Sequence, residues 1–308
     1  MLAAHAKRPD PKPPTLDQLQ IFLTIVETGS FAGAARKLGR ATSVISYAIA
    51  NLEAQLGLEL FDRQSTKKPL LTDAGRAVLS DARAISLGIG DLLARARGLI
   101  SGLEAEVALV VDVMLPTAKL VAVLDAFQAA FPTVSLRLHV EALGAVTQLV
   151  IDRTANIGVA GPAVFGTDSL ENRQIGAVKL VPVAAPSHPL GQYRGSTTLA
   201  AARKHIQLVL TDRSEMTKNQ DFGVVAVRTW RLADLGSKHA LLLAGVGWGS
   251  MPEPMVRDDI ASGRLLQLDM DQWSSVAYPL RAVHRTDAPP GPAASWLIAR
   301  LEAALAGE

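Results

Sequence analysis

Residues 30–60 read S-F-A-G-A-A-R-K-L-G-R-A-T-S-V-I-S-Y-A-I-A-N-L-E-A-Q-L-G-L-E-L. The spacing predicts two helices with a tight break between them. The first spans 31–38, small-faced and N-capped by Ser30. Gly39 breaks the run where a turn needs positive φ. The second spans 42–56 and stops at Gly57, a residue type suited to a helix C-terminus.

The second helix has two unlike faces. Ile45, Ile49, Leu52 and Leu56 fall on one stripe that needs burial. Thr42, Ser43, Ser46 and Tyr47 gather hydroxyls at its N-terminal end, with no carboxylate among them. Such a helix suits insertion into a DNA major groove, although an amphipathic hairpin inside a core shows the same spacing. The continuation favours the groove. L-E-L-F-D-R (58–63), a polar turn holding Lys67 and Lys68, and the returning L-L-T (70–72) predict a two-stranded wing with a basic tip. Upstream, 16–28 forms a first helix with Leu16, Leu19, Phe22, Leu23 and Val26 inward, completing a three-helix core.

Together, F-L-T-I-V-E-T-G-S-F-A-G-A-A-R-K-L (22–38), V-I-S-Y-A-I-A-N-L-E-A-Q-L-G-L-E-L-F-D-R (44–63) and L-T-D-A-G-R (71–76) resemble the N-terminal domain of the LysR-type transcriptional regulators. The resemblance is close over 16–76 and looser over nearly all the rest. It implies a winged helix-turn-helix, with double-stranded DNA as partner. In that reading Arg63, Lys67, Lys68 and Thr72 contact phosphates, while Thr42, Ser43, Ser46 and Tyr47 read base edges. The commoner family pattern has Gln at position 42 and Arg at position 47. Thr and Tyr cannot make those bidentate contacts, so specificity should lean on thymine methyls, single hydrogen bonds and DNA shape.

A long helix follows Thr72, over 73–100. Val78, Ala82, Ile85, Ile89, Leu92, Ala96 and Leu99 alternate steps of four and three, a seam that calls for a partner helix. In the family this resembles, the linker helix pairs two chains. A two-fold pair of recognition helices would read an inverted repeat, with a dimer of dimers (a homotetramer) as the full assembly.

From Glu104 strands and helices alternate, predicting α/β structure with open parallel sheets. F-Q-A-A-F-P-T-V-S-L-R-L (127–138), P-V-A-A-P-S-H-P-L (182–190) and G-V-G-W-G-S-M-P (245–252) resemble the LysR effector-binding domain. That domain has two Rossmann-like subdomains, built like a type 2 periplasmic binding protein with the ligand between them. The expected organisation is a disordered arm (1–14), the DNA-binding domain (15–72), the linker helix (73–102) and the effector domain (104–308). Subdomain I would take about 104–178 and 268–308, and subdomain II about 179–267.

Ligands of open α/β sheets bind beyond the carboxyl ends of strands. The expected cleft residues are therefore Asp112, Val113, Met114, Thr117, Glu141, Leu143, Thr211 and Trp248, the last in a glycine turn. Many family members place Ser or Thr directly after the first strand to hold a ligand carboxylate. Asp112, Val113 and Met114 stand there instead, which argues against a simple carboxylate effector and points to a more apolar or aromatic one.

Composition narrows the alternatives. Zero cysteines exclude disulfides, thiolate metal sites and a cysteine nucleophile. No apolar run reaches the ~18 residues of a membrane helix, so no membrane partner is expected. The start of the chain lacks a signal peptide's apolar core, and cytoplasmic location is the expectation. The net charge of +2 hides a split: up to Leu103 there are 13 Lys and Arg against 9 Asp and Glu. A basic N-terminal part on a slightly acidic body fits a nucleic-acid-binding module joined to another domain.

The six histidines (His5, His139, His188, His205, His239, His284) lack metal-ligand spacing, and no nucleophile elbow or phosphate-binding loop occurs. The spaced glycines Gly245, Gly247 and Gly249 follow a helix rather than a strand, so they do not form a nucleotide loop. No catalytic residue, metal or cofactor is expected. The expected function is a DNA-binding regulator switched by a small molecule, with RNA polymerase as a further candidate partner. The competing reading is a solute-binding or enzymatic α/β protein whose N-terminal helices only dimerise.

Overall fold

The first helix, α1 (Leu16–Thr28), starts in a reciprocal capping box: the Thr15 hydroxyl accepts from the Gln18 N–H, and the Gln18 side chain accepts from the Thr15 N–H. In α2 (Phe31–Leu38) the Ser30 hydroxyl accepts from Gly33 N at 3.0 Å. Gly39, at φ 65, turns the chain into α3 (Thr42–Leu56). Ile45, Ile49 and Leu52 of α3 are buried with Ile21, Phe22 and Ile25 of α1. Each such side chain contributes roughly 1.5–3 kcal/mol when fully buried, enough to hold a 15-residue helix that would be marginal alone.

Two short strands follow, β1 (Phe61–Asp62) and β2 (Leu70–Leu71), antiparallel with Phe61 opposite Leu71. The Phe61 ring meets Phe22 and Phe31 edge-on, at centroid distances of 5.6 and 5.5 Å, and so ties the wing's base to the helical core. The long helix α4 (Asp73–Ile100) begins hard against that base. A Cβ at Gly75 would lie 2.1 Å from the Leu60 carbonyl oxygen, so only glycine allows this approach.

The structure, a computed structural model, describes residues 12–62, 69–162, 168–192, 198–218, 220–270 and 275–306. It forms two compact units, Met1–Arg97 and Gly98–Glu308. Arg63, Lys67, Lys68 and most of the N-terminal arm lie outside the described residues.

The second unit opens with β3 (Glu106–Asp112), α5 (Thr117–Ala130), β4 (Ser135–Glu141), α6 (Gly144–Ile151) and β5 (Ile157–Ala160). β3 pairs in parallel with both β4 and β5. Then β6 (Leu170–Ala184) carries the chain onward, followed by α7 (Leu199–Ala202), β7 (Gln207–Leu210), β8 (Thr229–Leu232), α8 (Leu235–Leu243), β9 (Trp248–Pro252), α9 (Glu253–Ala261) and β10 (Leu266–Gln267). The return strand β11 (Val276–Arg285) leads into α10 (Pro292–Ala306), which packs on α5 and β6.

All the strands of this unit join one sheet of order β4-β3-β5-β11-β6-β9-β7-β8, with β10 against β6. The ends are parallel as expected, but the middle is not: β6 and β11 are long and antiparallel to each other and to their neighbours. Leu180 is where β6 exchanges one partner for the other, pairing with Val276 of β11 and Pro252 of β9. The two long strands are thus the double bridge between a first lobe (β3–β5) and a second (β7–β9). One element differs from expectation. β9 begins at Trp248, inside the expected glycine turn, and carries that stretch into the sheet.

Candidate functional site

The recognition edge is built by what α3 does not use. Its N-cap, Ala41, makes no side-chain cap bond. Among the described residues no hydrogen bond engages the hydroxyls of Thr42, Ser43, Ser46 or Tyr47, and all four residues are exposed, Tyr47 to 70%. The sequence reading missed Val44, which stands 47% exposed on the same turn. Its side chain lacks the hydroxyl that marks its neighbours in the sequence. An exposed Val beside an exposed Tyr is the kind of surface that meets thymine methyls.

Thr72 requires a correction. Its hydroxyl donates to the Glu59 carbonyl at 2.6 Å and accepts from Gly75 N at 2.8 Å, and its own N–H donates to the Leu60 carbonyl. It is the cap that anchors α4, with its polar groups spent, and not a phosphate ligand.

The seam on α4 divides. Ala82 is buried and Val78 part-buried in the core of the first unit, so these two serve the chain itself. Further along, Ile85, Leu92 and Leu99 are 45%, 65% and 51% exposed, with Ile89 and Ala96 between them. An apolar row at seven-residue intervals in water is unusual for a monomer.

In the second unit a cavity of about 410 Å³ opens between the lobes. Met114, Leu143 and Pro162 line it from the ends of the first lobe's strands. Leu208 and Phe222 face them from the second lobe, and Tyr278 rises from the bridge strand β11. The volume suits a small metabolite, and the walls are mainly apolar.

Behind Tyr278 lies Asp112, fully buried at the end of β3. One carboxylate oxygen accepts from Met114 N at 2.9 Å and the other from the Tyr278 hydroxyl at 2.9 Å. Backbone N–H groups of Leu143 and Gly161 also point to it. Amides from the ends of three strands therefore converge on the protein's own carboxylate. Burial pushes its pKa up to about 6 despite these donors, and it raises the Tyr278 phenol in turn. Leu143 is held at φ 50, a left-handed conformation a leucine rarely takes, at the wall of the cavity.

The remaining expected cleft residues disperse. Asp112 is behind the wall rather than on it. Val113 is part-buried against the core, and Thr117 is exposed at the start of α5, outside the cavity. Glu141 and Thr211 line a separate polar groove with Asp212. Trp248 is a correction: it is 1% exposed, packed with Leu190 and Met270, and its Nε1 donates to the Ala202 carbonyl at 3.1 Å. Its indole fills a satellite core because β9 begins at Trp248 and its pleat points that side chain inward. Of the eight expected residues, Met114 and Leu143 line the cavity.

Lys238 also lines it, and the sequence reading did not single it out. It is 3% exposed, and its ammonium donates to the Ser250 carbonyl at 2.8 Å. Burial alone lowers its pKa to about 8. A signal was present: Leu235, Lys238 and Leu242 fall at i, i+3 and i+7, so the lysine occupies an apolar register of α8.

Among the described residues there is no cluster able to hold a metal, and no helix long and apolar enough to cross a membrane. What these features define is a small helix-turn-helix unit joined to an α/β unit with a ligand-sized cavity between its lobes. Comparisons with known proteins agree. Residues 16–76 match the bacterial regulatory helix-turn-helix protein, lysR family, and residues 101–306 match the LysR substrate binding domain. The chain is 30% identical over 275 residues to the probable HTH-type transcriptional regulator YhaJ of Escherichia coli K12, spanning 85% of this chain and 88% of that one. It is 31% identical over 254 residues to the HTH-type transcriptional activator AllS of Klebsiella pneumoniae, spanning 81% and 93%. A mutant of OxyR from Corynebacterium glutamicum has a similar fold, with TM-score 0.52 and 21% identity over 95% of this chain and 93% of that one. The chain belongs to the LysR family of transcriptional regulators.

Proposed function

We propose that this regulator reads an inverted-repeat operator through α3, pairs through the exposed row on α4, and works as a dimer of dimers in the cytoplasm. A small effector held in the interlobe cavity switches it. Closure of the lobes on the effector changes how the two dimers are arranged on DNA, which alters contact with RNA polymerase. The effector acts only to the extent that it binds one arrangement better than the other.

The observation that carries this reading is the unspent edge of α3, with Thr42, Ser43, Ser46 and Tyr47 exposed and without hydrogen-bond partners among the described residues while the opposite stripe is buried. A helix held this rigidly, with free donors and acceptors on its outer face, is suited to base edges. Lys67 and Lys68, which fall between β1 and β2 in the sequence, supply phosphate attraction in this scheme.

A mobility-shift assay on the DNA upstream of the chain's own gene tests it. Salt-sensitive binding that Lys67→Ala with Lys68→Ala weakens uniformly, and a changed base preference in Tyr47→Ala after in vitro selection, are expected. Loss of one base contact costs about 1–3 kcal/mol. Absence of binding to any fragment of the host genome sinks the regulator reading. An unchanged selected motif in Tyr47→Ala removes Tyr47 from base recognition.

A further inference from the structure

We propose that the interlobe cavity takes an effector with an apolar body and a single carboxylate, and that Lys238 of α8 is the group that holds the carboxylate. The proposal rests on the reading of this cavity as the effector site and adds the chemistry of its ligand.

Three observations converge. Lys238 sits where the register of α8 calls for an apolar side chain, between Leu235 and Leu242, and is 3% exposed. One of its three N–H groups goes to the Ser250 carbonyl, and among the described residues no carboxylate pairs with it. Asp221, the acid that shares the cavity wall, is committed to Arg231 at 2.7 Å. A buried ammonium with one neutral partner is a poor structural element, because its desolvation goes uncompensated. It becomes useful when a ligand brings the missing anion into the same dry space.

The second observation excludes the obvious alternative. The backbone amides that converge at the strand ends of the first lobe are already occupied by Asp112. A second carboxylate there would meet that acid. An anion entering the cavity is therefore directed to the opposite wall, where Lys238 lies. The third observation is the rest of the lining: Met114, Leu143, Leu208, Phe222 and Tyr278 offer apolar and aromatic contact in about 410 Å³, room for a ring or short chain. A lysine, unlike an arginine, recognises charge without demanding a bidentate plane, so ring and chain carboxylates should both be accepted.

The test uses the full-length protein and matched pairs of probes: benzoate with benzamide, phenylacetate with phenylacetamide, and hexanoate with hexanamide. Affinity is measured by thermal shift and calorimetry on wild type and on Lys238→Met, which keeps the length of the side chain and removes the charge. In wild type each carboxylate is expected to bind about tenfold or more tighter than its amide, the usual advantage of a charge-assisted hydrogen bond. In Lys238→Met that advantage should vanish while amide binding is kept. Equal binding within the pairs in wild type, or a preference for carboxylate that survives in Lys238→Met, overturns the assignment. Val276→Trp, at the exposed edge of the cavity, separates the two readings. If it blocks all six probes and the pairs bind equally in wild type, the cavity stays the site and only the anion partner is wrong. Probes that bind undiminished in Val276→Trp overturn the cavity itself.

Discussion

Asp212 of the second lobe caps a helix of the first: its Oδ2 accepts from the Ala145 N–H at 2.8 Å, across 67 residues of sequence. The same carboxylate accepts from Ser214 Oγ at 2.7 Å and from the Thr217 hydroxyl. Above it Gly144 leaves no room for a side chain, since a Cβ there would lie 2.7 Å from Ser214 Oγ. The start of α6 is therefore latched to the loop after β7, on the polar side of the cleft. Asp212→Ala should cost about 1–2 kcal/mol, the usual worth of a helix cap. Urea denaturation reads that loss, and hydrogen exchange should quicken first at the amides of Ala145 and Val146. Exchange unchanged at those amides would show that the latch does not hold the lobes.

Asp112 predicts a pH dependence. Its folded-state pKa, about 6, lies above the ordinary carboxylate value, so the folded protein binds the extra proton more readily than the unfolded chain. The contribution to stability is full below about pH 4 and is lost as pH rises through 6, amounting to about 3 kcal/mol in all. Asp112→Asn keeps an acceptor for the amides without the charge. Wild type should therefore gain stability relative to Asp112→Asn on going from about pH 7 to about pH 4.5, as measured by urea titration. A constant difference across that range refutes the shift.

For Lys238 the sign is opposite. Its pKa, lowered to about 8, means that the charged lysine is a burden on the empty protein at neutral pH, and that the burden lifts as pH rises from 8 towards 10. Ligand-free Lys238→Met should be more stable than wild type near pH 7, by up to about 3 kcal/mol, with the gap closing in alkali. A stability gain paired with lost anion binding is the signature of a functional charge.

The outer part of α4 makes a prediction about assembly. Leu92→Glu with Leu99→Glu places charge in the exposed apolar row and should leave the first unit's core, which holds Val78 and Ala82, intact. Sedimentation velocity is expected to show wild type as a dimer or larger and the double variant as a monomer. Its helical circular dichroism should change little. A variant that sediments like wild type would remove this row from pairing.

How much of this was legible depended on how local each signal is. Helix ends in the first unit are written by short-range rules, and Ser30, Gly39 and Gly57 act where the pattern puts them. The long strand β6 is hard to read from sequence, because its first part, L-E-N-R-Q, shows water a mostly polar face while its backbone pairs with β11. Trp248 was misjudged since G-V-G-W-G-S looks like a turn, and only the pairing of Trp248 with Ala184 turns it into a strand. Thr72 looked available to phosphate because its acceptors, Glu59 and Leu60, lie across the wing. Lys238 shows the reverse case: its odd position in the stripe of α8 could be read directly, but its meaning depends on Ser250 and a cavity assembled from both lobes.

The carboxylate of Asp112, closed in among three strand ends, gives the protein a permanent tenant in the berth where a foreign acid would otherwise moor. Retuning this regulator to a new effector by changes near Met114 would therefore disturb the tenant before it altered the guest. A designer seeking a different signal molecule would do better to begin on α8 and β9, where the wall can be rewritten without evicting anything.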